Sequence, residues 1–326
     1  MDVLDRRLVA ALQVSPRASW GEIARVVGEN ERTVARRLQR LIAEGELRVT
    51  AIYDDLRSGH GRPVHLHVQV RPGTSCKVAE ALAERPDTRS VYAVTGVADV
   101  GCELVSPTRD ALHDIVSSQL GGIDGVLRTQ THVVLHTFTT VAEWHAPYLT
   151  DDEVAQLRPP APTEPLPDQD ALSPLDQEIA ELLAEDGRIA FTAIAERLDI
   201  SVPTARRRVA SLLERRVLLL RAEVEPALLG LEVEAKLWLS VRPQGLDHVG
   251  QTLAAHPNVR YCAATSGTHT LIIQVAVAHE ADLYRFLTEV VGPLDDVTDL
   301  NVTLITRAYK RGHLRKSGLL TMERTP

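Results

Sequence analysis

Apolar residues recur with helical spacing over the first forty or so positions. Leu4, Leu8, Ala11 and Leu12 fall at i, i+4, i+7 and i+8, on one face of a first helix. Trp20, Ile23, Ala24 and Val27 do the same for a second helix over 19–27. Gly28-Glu29-Asn30 then makes a tight turn, and Asn30 is a suitable N-cap for a third helix with Val34, Leu38 and Leu41 as its buried stripe. Helix, three-residue turn, helix is the helix-turn-helix spacing. Beyond it the period drops from about 3.6 to 2. Residues 47–53 predict a short wing strand, and Val64, Leu66, Val68 and Val70 then alternate with His65, His67, Gln69 and Arg71. A helix over 75–84, strands over 89–95 and 99–105, a helix over 108–120 and a strand over 127–139 complete a βαββαβ order. That order predicts a ferredoxin-like α+β sandwich with both helices on one face. The other sheet face stays open, as a surface that packs on another sheet does.

The chain then repeats itself. An offset of 171 residues, without a gap, sets Leu4-Asp5 on Leu175-Asp176, Ile23-Ala24 on Ile194-Ala195, Arg36-Arg37 on Arg207-Arg208 and Gly59 on Gly230. Over positions 4–59 there are 13 identities in 56, and the register continues through Val70-Arg71-Pro72 on Val241-Arg242-Pro243, Arg89 on Arg260 and Gly96 on Gly267. A duplicated two-domain unit accounts for this. The expected organisation is a helix-turn-helix domain over 1–53, a first β domain over 61–145, and a linker over 146–174 rich in proline and acid. A second helix-turn-helix over 175–224, a second β domain over 231–316 and a tail over 317–326 follow.

Charge is distributed to match. The net charge of -8 opposes general attraction to nucleic acid, yet residues 201–221 hold six arginines against one acid. On the third helix of each copy, Arg32, Arg36, Arg40 and Arg207 point away from the buried stripe, whereas Arg37 and Arg208 lie at its edge and are expected to pack there. The candidate DNA-contacting residues are Asn30, Arg32, Thr33, Arg36 and Arg40 in the first copy, and Ser201, Thr204, Arg206, Arg207 and Ser211 in the second. Arginine suits this role because its fork can bond guanine O6 and N7 together, and its charge gives salt-dependent attraction to phosphate. A solvated helix face explains any single arginine equally well; Asn30 and Ser201 also serve as caps.

A helix-turn-helix followed by a βαββαβ domain resembles the Lrp/AsnC family of feast-or-famine regulators, here as a tandem fusion of two such units. The resemblance is carried by Leu4-Asp5, the string from Gly28 to Leu41, Gly45-Glu46-Leu47, and Val94-Thr95-Gly96-Val97-Ala98-Asp99, which is similar to the family's Thr-Gly-x-x-Asp loop. It implies β domains of the RAM type that dimerise, and a small effector, commonly an amino acid, bound at Thr95, Gly96 and Asp99, with Ser266 and Gly267 matching in the second copy. Three departures stand out: Glu29 at an apolar turn position, Arg216 where the first copy has Gly45, and Thr270 where it has Asp99. The last predicts unequal loops, because an amino-acid ammonium needs an acceptor.

The remaining composition narrows the choice. With 44% hydrophobic and 25% charged residues the chain is ordinary for a globular protein. No apolar run is long enough for a membrane span, which with the charged start predicts a cytoplasmic protein without membrane contact. Cys76, Cys102 and Cys262 form no CxxC pair, and no phosphate loop, nucleophile elbow or HExxH motif is present, so no cofactor and no enzyme activity are expected. Histidine is the exception. His65 with His67, and His132 with His136, are expected on facing positions of neighbouring strands, a spacing that suits a metal or a tetrapyrrole, or a polar seam between sheets. The corresponding enzyme reading is a siroheme-decarboxylase-like protein on the same architecture. The duplication also predicts self-association: one chain carries both halves of the sheet interface and can close as a pseudo-dimer in which His65, His67, Lys236 and Trp238 meet, with even-numbered oligomers built from it.

Overall fold

The computed structural model describes residues 1–158, 172–312, 314–316 and 322–324; most of the proline-rich linker and of the tail lies outside them. The first copy runs α1 (Val3–Val14), α2 (Trp20–Val27), α3 (Glu31–Ala43), β1 (Leu47–Tyr53), β2 (Arg62–Val70), α4 (Ser75–Glu84), β3 (Thr88–Val94), β4 (Val100–Ser106), α5 (Arg109–Asp114) and β5 (Val126–Thr139). Helix α6 (Asp151–Leu157) follows. The second copy runs α7 (Pro174–Glu185), α8 (Phe191–Leu198), α9 (Val202–Glu214), β6 (Leu218–Val224), β7 (Val233–Val241), α10 (Leu246–Ala254), β8 (Val259–Thr265), β9 (Leu271–Val277), α11 (Glu280–Arg285) and β10 (Val297–Arg311), ending in β11 (Leu314–Lys316) and β12 (Met322–Arg324). The single helix expected over 108–120 is α5 followed by a π-helical turn at Ile115–Gln119, and α11 continues in the same way at Phe286–Val291.

The chain divides into two compact units that cut across the sequence repeat, so that like domains are grouped: Met1–Gly61 with His145–Val224, and Arg62–Trp144 with Glu225–Pro326. The first unit holds both helix-turn-helix domains. Ser19 and Glu22 form a reciprocal capping box on α2, which satisfies two of its orphan N–H donors, and Gly28 at φ +74° ends that helix. In the second copy Asp199 takes the same left-handed turn. Arg216 likewise adopts φ +54° at the position of Gly45, so that departure is accommodated with backbone strain. The two expected wing strands are instead partners of each other. Strands β1 and β6 pair antiparallel from Leu47↔Val224 to Tyr53↔Leu218, and Ala51 of the first copy is buried in the core of the second domain. Helix α6, within the expected linker, belongs to this unit and is tied to α1 by the pair Arg7–Glu153.

In the second unit each copy forms a four-stranded antiparallel sheet, ordered β3-β4-β2-β5 and β8-β9-β7-β10. Val64, Leu66, Val68 and Val70 on one sheet, and Ala235, Leu237, Leu239 and Val241 on the other, bury the helix-covered faces in two separate cores. The open faces do meet, but the sheets also join edge to edge. Strand β5 pairs with β8, and β10 pairs with both β3 and β7, closing eight antiparallel strands into one ring. Closure removes the exposed edges that separate sheets would present. Among the described residues no helix is long and apolar enough to cross a membrane.

Candidate functional site

In the first unit the 171-residue offset becomes an internal two-fold. Arg17 donates to the carbonyls of Gly187 (2.8 Å) and Ile189 (3.0 Å), and Arg188 donates to those of Pro16 (2.6 Å) and Ala18 (2.9 Å). The same two guanidinium groups lie over Phe191 and Trp20, 4.7 and 4.0 Å from the ring centroids. Each contact maps onto the other under the offset, and Thr50 pairs across the strands with its own counterpart, Arg221. Such self-complementary pairing is what a two-fold interface requires. The sequence signal was available, since Arg17 and Arg188 are one of the identities in the repeat, but it does not reveal the partner carbonyls.

The third helices divide their arginines as their geometry dictates. Asp5, 3% exposed, receives Arg37 (2.9 Å) and Arg40 (2.9 Å), and Asp176 receives Arg208 at 3.3 Å. The repeated Leu-Asp pair therefore clamps the first helix onto the third, and Arg37 and Arg208 belong to that clamp. Arg40 is also drawn into it and pairs with Glu44 (2.8 Å), so its exposed guanidinium is already shared between two carboxylates. Arg206 lies over the Phe191 ring at 5.3 Å. Arg32, Arg36 and Arg207 project into solvent, with Thr33 and Thr204 half-exposed beside them. Asn30 and Ser201 cap their helices, accepting from the backbone N–H of Arg32 and Thr204; Ser211 lies half-buried a turn beyond Arg207. Together the two helices present paired cationic faces.

The second unit brings together His65, His67, His132 and Trp238 inside the strand ring. Trp238, 1% exposed, sits 4.3 Å from the His67 ring, 4.7 Å from His132 and 6.0 Å from His65. His65 Nε2 meets the Tyr261 hydroxyl at 3.1 Å, and Lys236 lies 4.9 Å from the centroid of Tyr92. The rings of His65, His67 and Trp238, expected to face one another, lie 4.3 to 6.0 Å apart about Trp238, with Lys236 near His65. Tyr92 and Tyr261 were not foreseen, because nothing in either strand's own pattern names its partner. Burial first, then neighbouring positive groups including Lys236, pushes His65 well below its ordinary pKa, and burial with His132 brings His67 to about 4. Burial also lowers Lys236, and the Glu103 carboxylate only partly opposes it.

His136 does not join them. A bulge in β5 between Val134 and His136 turns the strand over, leaving Leu135 and His136 exposed and setting the His136 ring against Phe138 at 4.7 Å. The four-histidine set is thus corrected to three. Among the described residues no three His, Cys, Asp or Glu side chains are placed to hold a metal ion. Alongside lies a charged group whose central acid has no counterpart in the first copy, where Pro63 stands at its position: Glu234 between Arg260 (2.7 Å) and Arg311, with Arg311 also bonded to Glu225 (3.0 Å). Burial alone would raise Glu234, but the two arginines hold it at about 2.

The two Thr/Ser-Gly loops are scaffolds of the seam. Thr95 N–H donates to the Leu304 carbonyl and Leu304 N–H to Thr95 Oγ1, at 3.0 and 3.1 Å. Ser266 does the same with Val133 on the other side, both bonds at 2.9 Å. Gly96 and Gly267 adopt φ +92° and +105°, and a Cβ on Gly267 would lie 2.9 Å from His132 Nδ1. Asp99 Oδ2 accepts from Val70 N–H (2.8 Å), while Thr270 Oγ1 accepts from Val241 N–H (3.0 Å). Threonine thus does the backbone work of the aspartate, and only the first loop retains a carboxylate at that position.

The comparisons agree with this geometry. A model of the AsnC-type helix-turn-helix domain matches residues 1–42 and 172–213, and a model of the Lrp/AsnC ligand binding domain matches 64–141 and 234–314. Less than half of the chain is enough to match nearly the whole of single-unit proteins. An uncharacterized HTH-type transcriptional regulator of Pyrococcus horikoshii is 29% identical over 145 residues, which is 44% of this chain and 92% of that protein. The HTH-type transcriptional regulator Ptr1 of Methanocaldococcus jannaschii is 30% identical over 142 residues, 43% of this chain and 96% of that protein. Over its full length the chain shares its fold with the siroheme decarboxylase NirDL in co-complex with an iron-uroporphyrin III analogue. That match has 16% identity and a TM-score of 0.60, covering 95% of this chain and 93% of the other.

Proposed function

Because this chain belongs to the Lrp/AsnC family of transcriptional regulators, with both family domains present twice, we propose that it binds duplex DNA sequence-specifically through α3 and α9 and that a small effector, an amino acid, modulates that binding or the chain's assembly. The supporting observation is the pair of exposed cationic helix faces, Arg32 and Arg36 with Arg207, held by reciprocal contacts in one compact unit. Arg36→Ala and Arg207→Ala are each expected to cost about 1 to 3 kcal/mol of specific binding, or to flatten the salt dependence where the contact is to phosphate. Fluorescence anisotropy over a salt series measures both. Unchanged binding by both variants refutes the reading of that face.

The effector is assigned to the first loop, where Asp99 keeps an exposed carboxylate beyond its bond to Val70. Asp99→Asn leaves an acceptor for that N–H and removes the charge an ammonium needs, so it should abolish an amino-acid-induced rise in Tm. An undiminished rise removes the assignment.

A second reading, a tetrapyrrole-binding enzyme, draws support from the convergence of His65, His67 and His132. The residues as arranged do not fit such a group, since the His67 and His132 rings pack edge to face on each other and Trp238 packs against both. An absorbance titration with siroheme distinguishes the two readings: a shifted Soret band favours the enzyme.

A further inference from the structure

Resting on the DNA reading above, we propose that a single chain reads an imperfect inverted repeat whose half-sites share one base preference and differ at the neighbouring position. The reciprocal bonds of Arg17 to the Gly187 carbonyl and of Arg188 to the Pro16 carbonyl, and the pairing of Thr50 with Arg221, relate α3 and α9 by one two-fold. Two helices so related meet half-sites that run in opposite directions.

The faces they bring are unequal. Under the 171-residue offset Thr33 matches Thr204 and Arg36 matches Arg207, so both helices carry the same hydroxyl and the same exposed fork. One turn closer to the N-terminus, exposed Arg32 is matched by exposed Pro203. Arg32 offers a planar set of donors that suits guanine O6 and N7, whereas Pro203 offers only CH₂ groups and no N–H, a surface that suits the thymine methyl. Neighbouring residues do not restore the balance. The Glu31 carboxylate folds back on α2, lying 3.3 Å from where a Cβ on Gly21 would sit, and Arg206 is drawn onto Phe191. The shared inner position is therefore read by Arg36 and Arg207, and the outer position is guanine for the first copy and thymine for the second.

The test is enrichment of duplexes from a random-core library by the full chain, followed by anisotropy at fixed salt on the selected duplex. The expected product is an inverted repeat differing at one outer base pair. Replacing the outer thymine of the second half by deoxyuridine should weaken binding, and Arg32→Ala should weaken it about five- to a hundredfold while relaxing preference in the first half only. Pro203→Arg should select a symmetric repeat. A repeat identical in both halves, or a Pro203→Arg chain that selects the same asymmetric site, overturns the proposal while leaving DNA binding intact. Failure to enrich any sequence refutes the DNA reading itself, and this proposal with it.

Discussion

Acidification should loosen the strand ring, and His67 sets a lower bound on how much. Its pKa is about 4 in the folded chain, because burial and the neighbouring His132 disfavour the imidazolium, against roughly 6.5 in an unfolded one. Between those values the unfolded chain binds more protons at this site than the folded one. Stability is therefore complete above about pH 6.5 and falls as the pH drops towards 4. At pH 5 the loss from His67 alone is about 2 kcal/mol, approaching about 3 at pH 4; His65 and His132 are shifted in the same direction and add to it. Urea melts at pH 8 and pH 5 measure this in a Trp20→Phe background, where Trp144 and Trp238, both in the second unit, report the transition. His67→Gln should lose about 2 kcal/mol less than the parent between the two pH values. Equal losses would show that His67 is not held neutral in the folded ring.

Three further outcomes follow from the packing. Gly250→Ala should destabilise the second unit by about 1 to 3 kcal/mol, since the added methyl falls 2.3 Å from ring atoms of Phe138; a neutral melt would show that this ring moves aside. Arg188→Ala and Arg17→Ala should each destabilise the first unit by about 1 to 3 kcal/mol and be non-additive in the double variant, since each bonds the carbonyls that flank the other, and an effect confined to one of them would deny the two-fold. Chains comprising 1–158 and 159–326, mixed and followed by light scattering, should form a heterodimer in preference to either homodimer, because Trp238 packs on His67 and Tyr92 on Lys236 only between unlike copies. Homodimers that never exchange would overturn that pairing.

Much of the layout was legible because periodicity and an ungapped repeat are local signals. Helices α1 to α3 and strands β2 to β4 fall within a residue or two of where apolar spacing puts them, and the edge role of Arg37 and Arg208 follows from their angle on the helix. What the pattern could not supply was partnership. Residues 47–53 read as a strand whichever neighbour completes the ladder, so pairing of β1 with β6 was hidden. A single inserted residue inverts a strand's faces, so the bulge at Leu135 removed His136 from a cluster that alternation alone would have kept. Arg40 looked outward by angle, yet a guanidinium is long enough to reach back to Asp5.

The pairing of Thr50 with Arg221 at the centre of the β1–β6 ladder also bears on how such a chain can change. In an assembly of identical subunits, a residue on the axis faces a copy of itself, and every substitution there is made twice. Two arginines would then confront one another at this spot and repel. Fusion lifts that constraint. Each side of the seam is encoded separately, so an arginine on one strand needs only a threonine, and not another arginine, to be tolerated on the other. The same independence applies where Lys236 matches His65 and Trp238 matches His67. Once joined, the two halves are free to diverge by single substitutions that a homodimer would be forced to make on both sides of the axis at once.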